Sequence, residues 1–224
     1  MRAPLSIIIP TLNAQADLPD TLAALVEGLQ ANLLRELVVS DGGSSDQSCD
    51  LAEAAGAKIV IGSAGRGGQL RRGAEMAGGD WLLFIHADTQ LSAGWAEQVS
   101  RHMATSDKAA YFKLKFRASG FAPKWVAGWA NLRARLFGLP YGDQGLLISR
   151  VLYDQVGGYA DIALMEDVAI ARALRGRMRE LSVVAMTNAD RYHAAGWLRQ
   201  GTRNLWRLLR YLGGADPARW GQRY

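Results

Sequence analysis

Residues 78–90 read GGDWLLFIHADTQ: a glycine pair, a run of Trp, Leu, Leu, Phe and Ile, and then His86-Ala87-Asp88-Thr89. An uninterrupted apolar run of this length, bounded by turn residues, reads as a strand over 81–86 that is covered on both faces. The stretches before it repeat the pattern. Apolar runs at 5–10, 37–40 and 58–62 alternate with helix-like segments at 18–30, about 45–55 and 69–77. Strands alternating with amphipathic helices predict a parallel, doubly wound α/β sheet with helices on both faces. Ligands of such sheets bind beyond the carboxyl ends of the strands. Asp41 follows the second strand and Asp88 the fourth, so both carboxylates are expected at one edge. One aspartate there reads as a turn residue; two read as a site.

Past residue 105 the pattern changes. Residues 109–118 alternate in part, with Tyr111, Lys113, Lys115 and Arg117 against Phe112, Leu114 and Phe116, as in a strand with one wetter face. A Trp-rich helix follows (Trp125, Trp129, Leu132, Leu136), then a short strand at 145–149, a helix at 165–175, a strand at 181–187 and a closing helix at 197–212. No repeat or linker interrupts the chain. One domain over 1–224 is expected, with a nucleotide-binding half (1–105) and an acceptor and catalytic half (106–224).

A chain of 224 residues supports one sizeable core. The single cysteine, Cys49, excludes an internal disulfide. The first apolar run is too short for a signal peptide and no segment has the ~20 apolar residues of a membrane span, so a cytoplasmic location is expected. Charge is divided unevenly. Residues 1–112 hold 8 Lys and Arg against 13 Asp and Glu, whereas 113–224 hold 18 against 8. Of the 26 cationic residues 21 are Arg, the side chain suited to forked phosphate contacts. An anionic partner for the second half follows from this, and an arginine-favouring codon bias is the plainer source of part of it.

Two common nucleotide signatures are absent. The glycine-rich segment around Gly65–Gly68 follows the third strand and lacks the third glycine of a dinucleotide fingerprint, and no phosphate-cradling Gly-x-x-x-x-Gly-Lys-Ser/Thr occurs. A nucleotide site here has to use other means, of which aspartate and a divalent metal are the obvious ones.

The ordered blocks LSIIIPTLN (5–13), VSDGGSSD (39–46), GGQLRRGAEMAGGDW (67–81), LLFIHAD (82–88), YGDQG (141–145), LMED (164–167) and DRYHAAG (190–196) resemble those of family 2 glycosyltransferases of the GT-A fold. They are most similar to a small bacterial subgroup labelled as radical-SAM- or selenodomain-associated, or as arsenosugar-biosynthesis, transferases. The resemblance implies a Rossmann-like mixed sheet, mostly parallel, a UDP-sugar donor and Mn²⁺ or Mg²⁺. It assigns the donor to Pro10, Thr11, Asn13, Asp41, Gly67, Arg71, His86, Ala87, Asp143, Gln144 and Arg191. Asp88 takes the place of the metal-binding aspartate, the hard oxygen such a cation wants. The family carries Asp-x-Asp at this strand end; here the first position is His86, a softer ligand or a phosphate contact. Asp41 matches the aspartate that accepts a hydrogen bond from uracil, and a simple turn at Asp41-Gly42-Gly43 is its structural alternative. Asp167 takes the role of the base that accepts the acceptor's proton, with Glu166 as an acceptor or sugar contact. Acids in the first turn of a helix also suit its dipole, the plainer reading of both.

Arg191 and Tyr192 stand where processive relatives carry Gln-x-x-Arg-Trp; Tyr replaces the Trp and Asn188 the Gln, so transfer of a single sugar is expected. Arg191 is then the diphosphate's charge partner. His193 reads either as a further metal or phosphate contact or as a partly exposed residue. On the closing helix Arg199, Arg203, Arg207 and Arg210 fall in an arc of about 80°, with leucines on the other side. That pattern fits a core-packed helix with a solvated cationic face, or docking onto the inner face of an anionic membrane or onto a phosphorylated acceptor. The expected partners are the nucleotide sugar and a small-molecule or lipid-linked acceptor, not nucleic acid. The rivals are a nucleotidyltransferase, whose glycine-rich N-terminal loop is missing, and a non-catalytic membrane or nucleic-acid module, which leaves the carboxylates at strand ends unexplained.

Overall fold

The computed structural model describes residues 3–162 and 164–215. Four strands form the parallel half of the sheet: β1 (Leu5–Thr11), β2 (Leu34–Asp41), β3 (Lys58–Ile61) and β4 (Trp81–Phe84). They lie in the order β3-β2-β1-β4, and the sheet continues through β7 (Leu146–Ser149), β6 (Ala109–Phe116), β8 (Met178–Thr187) and β5 (Thr89–Leu91). β4–β7, β6–β7 and β5–β8 are antiparallel; β6–β8 is parallel. The expected mixed, mostly parallel sheet is found. Leu5, Ile7, Ile8 and Ile9 of β1 are fully buried because helices cover both faces. On one face α1 (Leu18–Gln30) and α4 (Trp95–Thr105) supply Leu18, Leu25, Trp95 and Val99. On the other, α3 (Arg66–Met76), α6 (Arg150–Gln155) and α7 (Glu166–Ala173) supply Leu70, Leu152 and Ile170. Helix α2 (Ser48–Ala54) joins β2 to β3.

The β4–β5 connection imposes curvature. Four strand steps separate β4 from β5 in the sheet, about 19 Å if it were flat. Only residues 85–88 join them, and these fold into a turn in which the Thr89 amide donates to the His86 carbonyl at 3.1 Å. The sheet therefore curls, and the turn carrying His86 and Asp88 spans its open edge. The expected strand at 81–86 ends at Phe84 for this reason.

Two expectations of packing are corrected. Tyr111, assigned to the wetter face of β6, is buried beside a register irregularity between Tyr111 and Lys113. The closing helix α9 (Trp197–Leu212) has the expected bounds, but its leucines are not core-packed. Leu208 is buried, whereas Leu198, Leu205, Leu209 and Leu212 are exposed. The helix docks through the flank bearing Trp197, Gln200 and Leu208 instead. The Trp-rich helix α5 (Phe121–Phe137) turns Pro123, Ala127, Ala130 and Ala134 inward, and Trp125, Trp129, Leu132 and Leu136 out.

Candidate active site

The carboxyl ends of β1, β2 and β4 lie side by side, with Thr11 opposite Asp41 in the ladder. Asp41 is 1% exposed and its two oxygens accept four hydrogen bonds. These come from the Thr11 hydroxyl at 3.1 Å, the Gly43 amide at 2.7 Å, and the Ser44 amide and hydroxyl at 2.7 and 2.5 Å. Burial works against ionisation, but the Ser44, Gly43 and Thr11 donors outweigh it and hold the carboxyl below its usual range. Asn13, in the left-handed region at φ 50°, accepts from the Ser45 amide at 2.9 Å, and its own amide donates to the Ser44 hydroxyl at 2.8 Å. Pro10 is half-buried beside them in β1. The Ala87 carbonyl is taken by the Thr21 hydroxyl at 2.8 Å.

Three residues assigned to the donor stand turned away from the strand ends or covered by the chain. Arg71 is exposed and ion-paired with Glu75 one turn on, at 3.3 Å; helical phase turns it away from the strand ends. Its neighbour Arg72 faces them instead, donating to the Ser63 and Asp41 carbonyls at 3.1 and 3.4 Å. Gly67 is covered by the chain at Ala160–Ile162, where a Cβ would stand 2.2 Å from the Ala160 carbonyl oxygen, so its glycine serves close packing of α3. Gln144 is fully buried with its amide on the Phe112 carbonyl at 3.1 Å, which locks the turn and leaves nothing for a ligand.

The reactive groups meet between the β4–β5 turn, the 3-10 turn Gly142–Gln144 and the start of α7. His86 Nδ1 lies 3.0 Å from Asp143 Oδ1, and a Cβ on Gly142 would come within 2.6 Å of His86 Nε2. The Gly142 amide donates to Asp167 Oδ2 at 2.9 Å, and the Val168 amide to Asp167 Oδ1 at 2.7 Å. Burial works against Asp143, yet the His86 hydrogen bond and charge, with Arg66 and Arg191 beyond it, bring its carboxyl down to about 2. Asp88 behaves oppositely. Burial raises its carboxyl, and the charges of Asp143 and Asp17 add to this against the pull of His86 and Arg191. Arg191 itself is exposed on the first turn of α8 (Asp190–Ala195). His193 is exposed with its ring edge-on to Trp197, 5.5 Å between centroids.

Met165 precedes α7 at φ 67°, a left-handed position that costs a side-chain-bearing residue ~1–2 kcal/mol. That turn drives Glu166 inward and Asp167 toward Gly142. Glu166 is 1% exposed; its Oε1 has no hydrogen-bond partner and the nearest cation, Arg66 Nε, stands 3.6 Å away. Burial and the adjacent Asp167 charge push its carboxyl up to about 7.

Arg133 was not visible in the sequence as a site residue. It lies on the inner face of α5, 7% exposed, with its guanidinium 3.4 Å over the Tyr141 ring and Nε donating to the Leu139 carbonyl at 3.0 Å. One terminal nitrogen and the Tyr141 hydroxyl are buried without a partner. Asp143 and Asp167 are close enough to stabilise its charge against burial.

Among the described residues no three His, Cys, Asp or Glu side chains gather to hold a metal. The donor set still fits a divalent cation in one way: Asp88 offers hard oxygen near the Asp143 and Asp17 carboxylates, and the rest of such a cation's shell would have to come from a ligand and water. His86 turns Nδ1 to Asp143 Oδ1, and its Nε2 lies beside Gly142.

Comparison with known proteins gives concordant matches. A family model described as "Glycosyl transferase family 2" matches residues 6–159. The chain is 32% identical over 170 residues to a PGL/p-HBAD biosynthesis glycosyltransferase of Mycobacterium tuberculosis, covering 71% of this chain and 64% of that protein's length. Among solved structures, glucosyl-3-phosphoglycerate synthase from M. tuberculosis, in complex with Mn²⁺, UDP and phosphoglyceric acid, superposes with a TM-score of 0.59 at 21% identity, over 83% of this chain and 69% of that one. S. aureus TarS 1–349 gives 0.63 at 16%, over 83% and 60%. At these identities the two structures establish the GT-A fold.

Proposed function

Because the chain belongs to glycosyl transferase family 2, we propose that it transfers a single sugar from UDP-sugar to an acceptor hydroxyl with inversion, assisted by Mn²⁺ or Mg²⁺. The observation that carries this is the meeting of Asp88, His86, Asp143 and Asp167 at the open end of the parallel strands. The relative crystallised with UDP and Mn²⁺ shares this fold. In this reading the nucleotide lies along Pro10, Thr11, Asn13 and Asp41, with Ala87 at the neighbouring strand end. The diphosphate points toward Asp88 and Arg191, and the sugar toward Asp143. A bound divalent cation, held by Asp88, would offset the charge of the departing diphosphate.

Asp167 takes the proton of the acceptor hydroxyl as its oxygen bonds to the sugar's anomeric carbon. The bond from that carbon to the diphosphate oxygen breaks on the opposite face, and the nucleoside diphosphate leaves with its electron pair. The Gly142 and Val168 amides hold both oxygens of Asp167 from one side, which fixes the carboxylate's direction. Arg191 stabilises the developing negative charge. Glu166 sits too deep to receive the acceptor directly and supports the first turn of α7. His86 orients Asp143 beside the sugar.

The acceptor is a small or lipid-linked molecule, the latter reached by peripheral contact with the inner membrane face. The block order of the sequence supports the radical-SAM-associated, arsenosugar-type subgroup, and the chain forms one domain divided near residue 105. Calorimetric titration with UDP, with and without Mn²⁺, tests the core of the reading. Metal-dependent UDP binding is expected, and its absence overturns it. A panel of nucleotide sugars, scored by protection against melting, then identifies the donor.

A further inference from the structure

Helices α5 and α9 pack on each other through Val126, Ala127, Ala130 and Trp197. Both turn their small or polar sides inward. Of the 17 exposed large hydrophobic side chains among the described residues, 11 stand on these helices of 17 and 16 residues. Scattered single exposures are ordinary, but such concentration marks an interaction surface. At ~100° per residue, Phe121, Trp125, Trp129, Leu132 and Leu136 fall within an arc of about 80° on α5. Leu198, Leu205, Leu209 and Leu212 fall within about 60° on α9, and Trp206 separates them from Arg199, Arg203 and Arg210. Exposure runs from 43% at Leu132 to 82% at Phe121 along the α5 row and from 39% at Leu205 to 69% at Leu198 along the α9 row.

Charge selects the occupant. Neither helix contains Asp or Glu, while α9 carries four arginines and α5 carries Lys124 and Arg135 at its surface. A second copy of the chain meeting this face would set one acid-free arginine row against another. Nucleic acid would leave the leucine and tryptophan rows wet. An anionic bilayer satisfies both: leucines enter the acyl boundary, tryptophans sit at headgroup depth and arginines meet lipid phosphates. No helix among the described residues is long and apolar enough to cross a membrane. Contact in the plane of the interface is what these helices allow.

We propose that α5 and α9 together form a docking face for a bilayer bearing anionic phospholipids. The inner sides of the same helices border the carboxylate cluster, through Arg133 over Tyr141 on α5 and through Asn204, whose amide donates to the Tyr192 hydroxyl at 3.1 Å, on α9. Docking thus holds the acceptor side of the site close to the lipid surface. That last step rests on the transferase reading above; the docking face does not.

The test is vesicle flotation of the full chain with phosphatidylcholine alone and with phosphatidylcholine plus phosphatidylglycerol, at low and high salt. The chain is expected to float with the anionic vesicles and to bind less at high salt. Leu205→Ser with Leu209→Ser should weaken partitioning about tenfold or more through lost apolar burial. Arg199→Gln with Arg203→Gln should abolish the preference for anionic over neutral vesicles. All four positions are exposed, so melting temperatures should match the parent's and report intact folds. A parent chain that stays with the soluble fraction, or a leucine variant that floats like the parent, overturns the proposal. So does a dimer, seen by sedimentation, that the leucine changes dissociate while vesicle binding is absent. UDP affinity measured on the same samples is independent of flotation and separates failure here from failure of the transferase reading.

Discussion

The Gly142 amide donates to Asp167 Oδ2 at 2.9 Å, while the same glycine leaves no room for a Cβ beside His86 Nε2. One residue of the 3-10 turn thus sets the carboxylate of α7 against the imidazole of the β4–β5 turn. Gly142→Ala is expected to separate them: a methyl 2.6 Å from Nε2 has to displace the ring or the turn. Turnover should fall at least about tenfold, as for other misplacements of catalytic geometry of about 1 Å. Kinetics on the variant, with its melting temperature as control, check this.

Asp167→Asn keeps the side chain's shape but presents an NH₂ to one of the two amides that now donate to it, losing one hydrogen bond at about 0.5–1.5 kcal/mol. It cannot take a proton. Turnover should drop by about 10²–10⁴ while UDP affinity stays within about twofold. Near-normal turnover would remove Asp167 as the base.

Asp88→Ala should abolish the Mn²⁺-dependent part of UDP binding. Its effect on folding runs the other way. Burial and the charges of Asp143 and Asp17 disfavour ionised Asp88 in the folded chain, so its removal should leave stability unchanged or raise it. Calorimetry with metal and thermal melting without it read the two effects separately. A clear loss of stability would show that Asp88 supports the turn instead.

Glu166 gives the fold a pH dependence whose sign is set by its raised carboxyl. Its proton is held up to about 7 in the folded chain against 4.5 otherwise. The folded state therefore binds more protons in that interval, and stability should fall as pH rises from about 4.5 to 7, by up to about 3 kcal/mol, and then level. Glu166→Gln should flatten this part of the profile. Urea midpoints of both proteins across the interval test it, and parallel profiles would refute it.

Arg133→Met replaces a buried guanidinium, one nitrogen of which has no partner, by an apolar chain of similar length. Exchange of a buried charge for a hydrophobe that fills its space is commonly neutral or stabilising. Arg133→Ala leaves a cavity and should cost about 2–4 kcal/mol more than the Met variant. Denaturant unfolding of the pair decides; equal stabilities would mean that the space collapses.

The apolar strands, the alternating helices and the two aspartates at one edge were legible in the sequence because each is a local property. Periodicity reports burial, and the carboxyl end of a parallel strand follows from its direction. Asp41 and Asp88 could therefore be singled out before any packing was known, and Asp167 by the resemblance of its block to the family's. The sequence does not say which neighbour a side chain meets across the fold. Arg71 and Arg72 are adjacent, and only the seating of α3 on the sheet turned Arg72 toward Asp41 and left Arg71 with Glu75. Arg133 sits in a helix that packs through alanines, so the arginine lies inward and the tryptophans out, a choice its sequence does not announce. The leucines of α9 were visible as a stripe, but a stripe has the same period whether core or membrane covers it. By itself the sequence determined the parallel α/β half and the placing of Asp41 and Asp88 at one edge, since both follow from residue type, local period and strand direction. The tertiary structure alone decided the curl that brings His86 to Asp143 and the outward turn of two apolar helices, since both depend on contacts between residues far apart in the chain.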